Sequence, residues 1–165
     1  AKVESGRLEL RPEKISLRAL AHECAAYLEP ATLPKQIGFN VDVAGLSFET
    51  DRRLLKQLLL NLLSNAVKFN REDGSVNLRA QVKDSMVVIS VADTGIGMSA
   101  EEIERALQPF QQIANTYSRT SEGTGLGLTL VQRFTAIMGG SFAIESTPGI
   151  GTTVRVTLPL RLPTP

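Results

Sequence analysis

Apolar and polar residues alternate along several stretches of this chain, and this pattern predicts β-strands. Successive side chains of a strand point to opposite faces of a sheet, so alternation indicates strands with one buried face. The turn residues Asp84 and Ser85 separate two such stretches and predict an antiparallel hairpin. A second hairpin is expected near the carboxyl end, around residues 147–151. The strands are predicted at residues 8–10, 37–43, 46–49 (as a partner of the preceding strand), 76–82, 86–92, 142–144 and 154–158.

Other stretches repeat their apolar residues every three to four positions, which predicts amphipathic helices. The first begins at a Ser16 N-cap and ends before Pro30. The second begins at Thr50 or Asp51 and runs to about Phe69. A short helix is expected at residues 100–107, and a last one runs from the glycine turn at 123–127 to Met138. The buried face of the second helix is predicted to consist of Leu55, Leu58, Leu59, Leu62, Leu63 and Ala66.

Length and charge restrict the class of protein. A chain of 165 residues fits one domain. Its net charge of +1 gives no electrostatic reason to expect a nucleic acid partner or direct contact with an anionic membrane. The single cysteine, Cys24, excludes an intrachain disulfide and suits a reducing compartment. No apolar run approaches the roughly 18 residues of a membrane span.

Asp93 is the first candidate for chemistry, because it follows a hydrophobic strand and precedes a glycine turn. A carboxylate that is even partly buried needs hydrogen-bond donors, because burial without partners is costly. Gly95 and Gly97 lack side chains beside it, which suggests room for a flat ligand. We therefore expect Asp93 to receive a purine amine, although a solvated aspartate in a tight turn is the simpler alternative.

Asn61, Asn65 and Lys68 form a second candidate group. Their spacing places them on one stripe of the second helix, beside its apolar face. A solvated helix flank is the alternative. Because the two amides stand among the most apolar residues of the chain and buried amides need partners, the functional interpretation gains weight.

The segment at 123–127, Gly-Thr-Gly-Leu-Gly, is the third candidate. A glycine-rich turn at the start of a helix presents free N–H groups and the positive end of the helix dipole to a phosphate. It lacks the Lys and Ser/Thr of a Walker A loop, and its spacing differs from the dinucleotide-binding fingerprint. The polar stretch at 110–122 before it is long enough to suggest a functional loop.

Four segments together resemble the named boxes of one family, in the same order. Residues 61–69 (NLLSNAVKF) resemble its N box, 93–98 (DTGIGM) its G1 box, Pro109-Phe110 its F box, and 123–128 (GTGLGL) its G2 box. The chain is therefore similar to the catalytic, ATP-binding domain of bacterial two-component sensor histidine kinases. That family lies within the superfamily of gyrase, Hsp90 and MutL ATPases, in which the polar stretch at 110–122 would be the ATP lid. The lid sequence resembles that of alphaproteobacterial cell-cycle kinases of the DivJ and PleC type.

The resemblance implies an α+β fold, a two-layer α/β sandwich known as the Bergerat ATP-binding fold. Its sheet would be mixed and mostly antiparallel, with three main helices on one face. It also implies three regions, namely residues 1–7 as the remnant of an upstream phosphoacceptor helix, 8–160 as the catalytic domain, and 161–165 as a disordered tail. A cytoplasmic location is expected for this domain. The resemblance leaves open whether a full-length protein is anchored in a membrane.

The resemblance further implies roles for the candidate residues. Asn65 would coordinate Mg²⁺ with help from Asn61, and Mg²⁺ does favour oxygen ligands. Lys68 would neutralise phosphate charge, Phe69 would pack on the adenine or the pocket wall, and Asp93 would accept the adenine amine. The remaining nucleotide-binding residues implied are Gly95, Gly97, Phe110 and Arg119 of the lid, and Gly123, Thr124, Gly125, Leu126 and Gly127. For Arg119, a solvated lid charge is an equal alternative to a phosphate contact.

The residue at position 61 distinguishes ATP hydrolysis from phosphate transfer, because hydrolysing members of the superfamily carry a glutamate where this chain has Asn61. An amide is a poor general base, which favours transfer of the γ-phosphate of ATP over hydrolysis. The acceptor would be a histidine on an upstream helical hairpin, for relay to a response-regulator aspartate. His22 lacks the rest of an acceptor motif and is expected to be a surface residue. A nucleotide-sensing module without phosphotransfer and an anti-sigma-type serine kinase remain the alternatives.

Overall fold

The computed structural model describes residues 9–108 and 127–163 of the chain. These ranges form seven strands and four α-helices, with one 3₁₀ turn at Leu33–Lys35. The strands are β1 (Pro12–Ser16), β2 (Gly38–Val43), β3 (Ser47–Asp51), β4 (Ser75–Lys83), β5 (Met86–Asp93), β6 (Ser141–Thr147) and β7 (Gly151–Pro159). The helices are α1 (Leu17–Thr32), α2 (Arg52–Lys68), α3 (Ala100–Ala106) and α4 (Gly127–Ile137).

Five strands form one mixed sheet in the order β2-β4-β5-β7-β6. Only the β2–β4 pair is parallel, and the other three pairs are antiparallel. Both predicted hairpins are present. Asp84 and Ser85 have φ values of 54° and 64°, and two consecutive positive φ values match the twist that a two-residue hairpin turn requires.

Helices α1, α2 and α4 lie on the sheet, with α2 in contact with both of the others. The inward side chains of the three central strands are buried beneath them, as the alternating pattern predicts. These side chains are Val76, Leu78, Ala80, Val87, Ile89, Val91, Val154, Val156 and Leu158.

Helix α2 is the centre of the core, and its buried face was predicted correctly from the sequence. Asp51 is its N-cap, since its side chain accepts hydrogen bonds from the backbone of Arg53 and Leu54. The helix ends at Lys68, one residue before the predicted end. All six predicted face residues are buried: Leu55, Leu58, Leu59, Leu62, Leu63 and Ala66.

Three local predictions need correction. The first strand is Pro12–Ser16 and not residues 8–10; a proline fits the first position of a strand because it need not donate a ladder hydrogen bond. Strand β3 pairs with β1 in a separate two-stranded sheet, not with β2. Helix α1 continues past Pro30 to Thr32, because Pro30 lies in the last turn and the buried Thr32 hydroxyl donates to the Glu29 carbonyl at 2.6 Å.

The predicted tail at 161–165 contacts the domain as far as Pro163. The Leu162 side chain is 8% exposed and belongs to the core. The Pro163 ring lies 3.2 Å from the position that a Cβ on Gly139 would occupy.

Candidate active site

Helix α2 presents its polar stripe beside its buried face. Asn61 and Asn65 are half-buried, because the leucines next to them point into the core. The Asn61 Oδ1 atom accepts a hydrogen bond from Gln57 Nε2 at 3.0 Å. Within residues 9–108 and 127–163, the Asn65 amide makes no side-chain hydrogen bond. Lys68 is exposed, with its Nζ atom 5.5 Å from the centroid of the Phe69 ring, which is itself 45% exposed.

Helix α4 begins against this stripe. A Cβ placed on Gly127, the first residue of α4, would lie 3.1 Å from Asn65 Nδ2. In the next residues of α4, Thr129 Oγ1 donates to the Ala106 carbonyl at the end of α3, at 3.5 Å. The structure therefore brings together Asn65 and Gly127, two of the residues predicted to form the site.

Asp93 is the last residue of β5, and backbone groups orient its carboxylate. Its Oδ1 atom accepts from Gly95 N at 2.8 Å and from Thr152 N at 3.3 Å. The Oδ2 atom receives no hydrogen bond from the part of the chain that the structure describes. Burial raises the pKa of the Asp93 carboxyl above its ordinary value, and the two backbone hydrogen bonds only partly oppose this. One oxygen is thus held and the other is available to accept a hydrogen bond.

The structure gives a different reason for glycine at positions 95 and 97 from the one that the sequence suggested. A Cβ on Gly95 would lie 2.2 Å from the Phe69 carbonyl oxygen, and one on Gly97 would lie 2.0 Å from the Thr147 carbonyl oxygen. Gly97 also has a φ of 69°. The places of the missing side chains are filled by protein backbone rather than left open for a flat ligand. These glycines let the turn pack between the end of α2 and the β6–β7 hairpin.

Three polar residues around this turn escaped the sequence-based prediction. Asn70 is 4% exposed, and Thr94 directly follows Asp93. The Arg71 guanidinium donates from Nε to the Thr94 carbonyl at 2.6 Å and from NH2 to the Gly149 carbonyl at 2.9 Å. The available signal was an asparagine directly after the apolar helix and close to Gly74.

Some predicted residues lie outside the described ranges. These are Phe110, Arg119, Gly123, Thr124, Gly125 and Leu126. His22 is exposed on α1, as expected. Across 9–108 and 127–163, no three His, Cys, Asp or Glu side chains group so that they could hold a metal ion. In the same ranges, no helix has the length and apolar character needed to cross a membrane.

Family comparison agrees with this geometry. The model of the "Histidine kinase-, DNA gyrase B-, and HSP90-like ATPase" family matches residues 50–162. The chain therefore belongs to this family, as the four sequence boxes predicted.

Relatives identify the branch of the family. Histidine protein kinase DivJ of Caulobacter vibrioides is 40% identical over 164 residues, which cover 98% of this chain and 27% of DivJ. The non-motile and phage-resistance protein of the same organism is 39% identical over 166 residues, covering 98% of this chain and 20% of that protein. The chain thus spans between a fifth and about a quarter of these relatives.

Solved structures confirm the predicted α+β fold. Full-length ShkA in complex with AMPPNP superposes with a TM-score of 0.81 and 32% identity, covering 96% of this chain and 33% of ShkA. The catalytic domain of histidine kinase ThkA, in a nucleotide-free form, superposes with a TM-score of 0.79 and 25% identity, covering 92% of this chain and 99% of that domain. The chain has the architecture of a histidine kinase catalytic domain over nearly its whole length.

Proposed function

We propose that this domain binds ATP with Mg²⁺ and transfers the γ-phosphate to a histidine on an upstream helical hairpin, for relay to a response-regulator aspartate. One observation carries the proposal: helix α2 touches the other two candidate segments. Asn65 of α2 adjoins Gly127 at the start of α4. The carbonyl of Phe69, the residue directly after α2, accepts a hydrogen bond at 3.1 Å from Ile96 N in the turn after Asp93. A nucleotide between these segments would meet Asp93 with its base and the start of α4 with its phosphates.

The side chains on α2 suit a magnesium ion. Asn61 and Asn65 are one helical turn apart and offer amide oxygens, which Mg²⁺ accepts as ligands together with phosphate oxygens. The Asn65 amide is not committed to a hydrogen bond with any described residue, and the Asn61 oxygen has a second lone pair. When bound, Mg²⁺ neutralises phosphate charge and aligns the γ-phosphate.

The chain's own residues divide the remaining tasks. Lys68 supplies positive charge at the end of α2, and Asp93 selects adenine by accepting its amine. Asn61 cannot act as a strong general base, so it would not activate a water molecule for attack on the γ-phosphate. Transfer to a correctly oriented histidine is therefore favoured over hydrolysis. Phe110, Arg119 and the 123–126 turn are proposed to cover the nucleotide, and residues 8–160 to be the catalytic unit in a cytoplasmic part of a longer kinase.

Labelled ATP tests the proposal directly. The chain extended upstream to include the proposed hairpin is incubated with Mg²⁺ and ATP labelled at the γ-phosphate. We expect label on the hairpin histidine, stable to base and removed by acid, and none when Asn65 is replaced by alanine. Tight ATP binding without any transfer would favour the nucleotide-sensing alternative. Base-stable, acid-labile label on the shorter chain itself would implicate His22.

A further inference from the structure

Asn70 is a buried amide that the proposed mechanism does not use. Its Oδ1 atom accepts hydrogen bonds from Arg71 N at 2.9 Å and from Thr94 Oγ1 at 3.2 Å. Its Nδ2 atom donates to the Ser75 carbonyl at 3.0 Å. Asn70 is 4% exposed, and its side chain joins its own loop to the start of β4 at Ser75 and to the turn after β5 at Thr94. Its partners are all within the protein, so a direct role in ligand binding does not explain it.

Thr94 connects this amide to the proposed adenine reader. The Thr94 hydroxyl accepts from Ser75 N at 2.9 Å while it donates to Asn70, and Thr94 N donates to the Ser75 carbonyl at 3.2 Å. Thr94 is the next residue after Asp93, so these bonds fix the peptide that carries the carboxylate. Gly74 leaves the necessary space, because a Cβ there would lie 2.1 Å from Asn70 Oδ1 and 2.9 Å from Thr94 Oγ1.

The other side of Asn70 is fixed to the end of α2. Lys35 Nζ donates to the carbonyls of Lys68 and Asn70, both at 3.0 Å. Lys68 is the last residue of α2, and a cation bonded to its carbonyl satisfies an acceptor that has no partner in the helix. Asn70 therefore lies between a fixed helix end and the turn that carries Asp93.

We propose that Asn70, through Thr94, is a positioning residue that sets the place of the Asp93 carboxylate relative to α2 and so determines selectivity for the adenine amine. The inference rests on the proposed function, in which Asp93 accepts that amine. A hydrogen bond to an amine requires donor and acceptor to lie within a few tenths of an ångström of the preferred distance. A shift of the turn therefore weakens recognition of the amine more than it weakens contacts to ribose and phosphates.

Two nucleotides separate positioning from general stability. ATP and purine riboside triphosphate differ by the amine alone, so the ratio of their dissociation constants measures the amine contact. For the unaltered chain with Mg²⁺ we expect ATP to bind about 10- to 150-fold more tightly, as for a hydrogen bond to a charged group. Asn70→Ala should reduce this ratio at least several-fold, whereas a residue with only a structural role would weaken both nucleotides equally.

Two threonine variants and one core variant complete the test. Thr94→Val removes the hydroxyl at constant shape and should lower the ratio like Asn70→Ala, while Thr94→Ser keeps the hydroxyl and should retain the ratio. Val87 is buried near the start of β5, at the opposite end of the strand from Asp93. Val87→Ala leaves a cavity there, and it should lower the melting temperature and leave the ratio unchanged.

The outcomes are distinguishable. If the unaltered chain binds ATP with a ratio near one, Asp93 is not the amine reader, and both the adenine role in the proposed function and this inference are overturned. If the unaltered ratio is large and stays the same in both Asn70→Ala and Thr94→Val, the positioning role alone is overturned. If Asn70→Ala does not fold, the Thr94→Val and Thr94→Ser pair decides the question.

Discussion

Asn65 and Gly127 face each other at the junction of α2 and α4, where a Cβ on Gly127 would lie 3.1 Å from Asn65 Nδ2. This spacing is tighter than ordinary van der Waals contact, so any side chain at 127 must displace either the amide or the start of α4. A displacement of the start of α4, the proposed phosphate-binding element, would therefore also displace Asn65, the proposed metal ligand.

Enlarging Gly127 should impair phosphotransfer in proportion to the size of the new side chain. Gly127→Ala requires a shift of a few tenths of an ångström and should lower the transfer rate a few-fold, whereas Gly127→Val should lower it by roughly 10- to 100-fold, since small misplacements of reacting groups have effects of this size. Initial rates of label transfer measure both. Gly38→Ala is a matched control, because its Cβ would meet the Gly74 carbonyl oxygen at 3.9 Å, which is ordinary van der Waals contact. An unaltered rate in Gly127→Val would refute the link.

Asn65→Ala should strongly reduce magnesium-dependent transfer and leave the fold intact. Alanine favours a helix, and the Asn65 amide makes no side-chain hydrogen bond within the described ranges, so the melting temperature should change little. Loss of one electrostatic contact to the reacting phosphate should reduce the rate by roughly 100-fold or more. The control is Asn77→Ala, which removes an amide on β4 that accepts a hydrogen bond from Asn40 Nδ2 at 3.1 Å. Normal transfer by Asn65→Ala would contradict the metal assignment.

Asp51 should be the most sensitive charged residue for stability. It is fully buried and caps α2, and its Oδ2 atom accepts from Arg53 Nη2 at 2.7 Å and from Arg11 N at 2.9 Å. Asp51→Ala removes the cap and the carboxylate that pairs with Arg53, so urea titration should show the free energy of unfolding reduced by about 3 kcal/mol. Asp51→Asn keeps an acceptor and should lose less. Equal losses in the two variants would show that capping contributes nothing.

Adenine selectivity should fall as the pH is lowered. Burial raises the pKa of Asp93, so its carboxylate is lost as pH falls through a value above the ordinary aspartate pKa of about 3.9. Protonation weakens the acceptor, and the affinity ratio of ATP to purine riboside triphosphate should decline in that range. Residue 93 does not titrate in Asp93→Asn, so any pH dependence that this variant retains comes from groups other than Asp93. The prediction fails if the two proteins show the same pH profile.

The sequence predicted the features that repeat locally. The leucine spacing of α2, a cap at Thr50 or Asp51 and the Asp84-Ser85 turn follow from helix periodicity and turn chemistry. The structure contains all three, with Asp51 as the cap. The polar stripe of Asn61, Asn65 and Lys68 follows from the same periodicity. Local patterns are sufficient here because each feature depends on residues within one or two turns of chain.

Features that depend on distant segments were not predictable in this way. Strand β3 follows β2 after a short loop, so proximity in sequence favours β2 as its partner, whereas the observed partner β1 lies on the far side of helix α1 in the chain. The space beside Gly95 and Gly97 is filled by the carbonyls of Phe69 and Thr147, which are 26 and 50 residues away in the chain. Asn70 and Thr94 are 24 residues apart, and only the sheet brings them within hydrogen-bond distance. Phe110, Arg119 and residues 123–126 stay predictions.

Calorimetric titration of the chain with MgATP tests the central claim that Asp93 reads the adenine. The unaltered chain should bind ATP, and Asp93→Ala should bind it about 10- to 150-fold more weakly, the range expected for loss of a charged hydrogen bond. Asp93→Asn serves as the shape-matched control, since its amide oxygen can still accept from Gly95 N and Thr152 N. Its affinity for ATP should nevertheless fall, because the NH₂ group cannot accept from the adenine amine. ATP affinity that is unchanged in both variants would contradict the account.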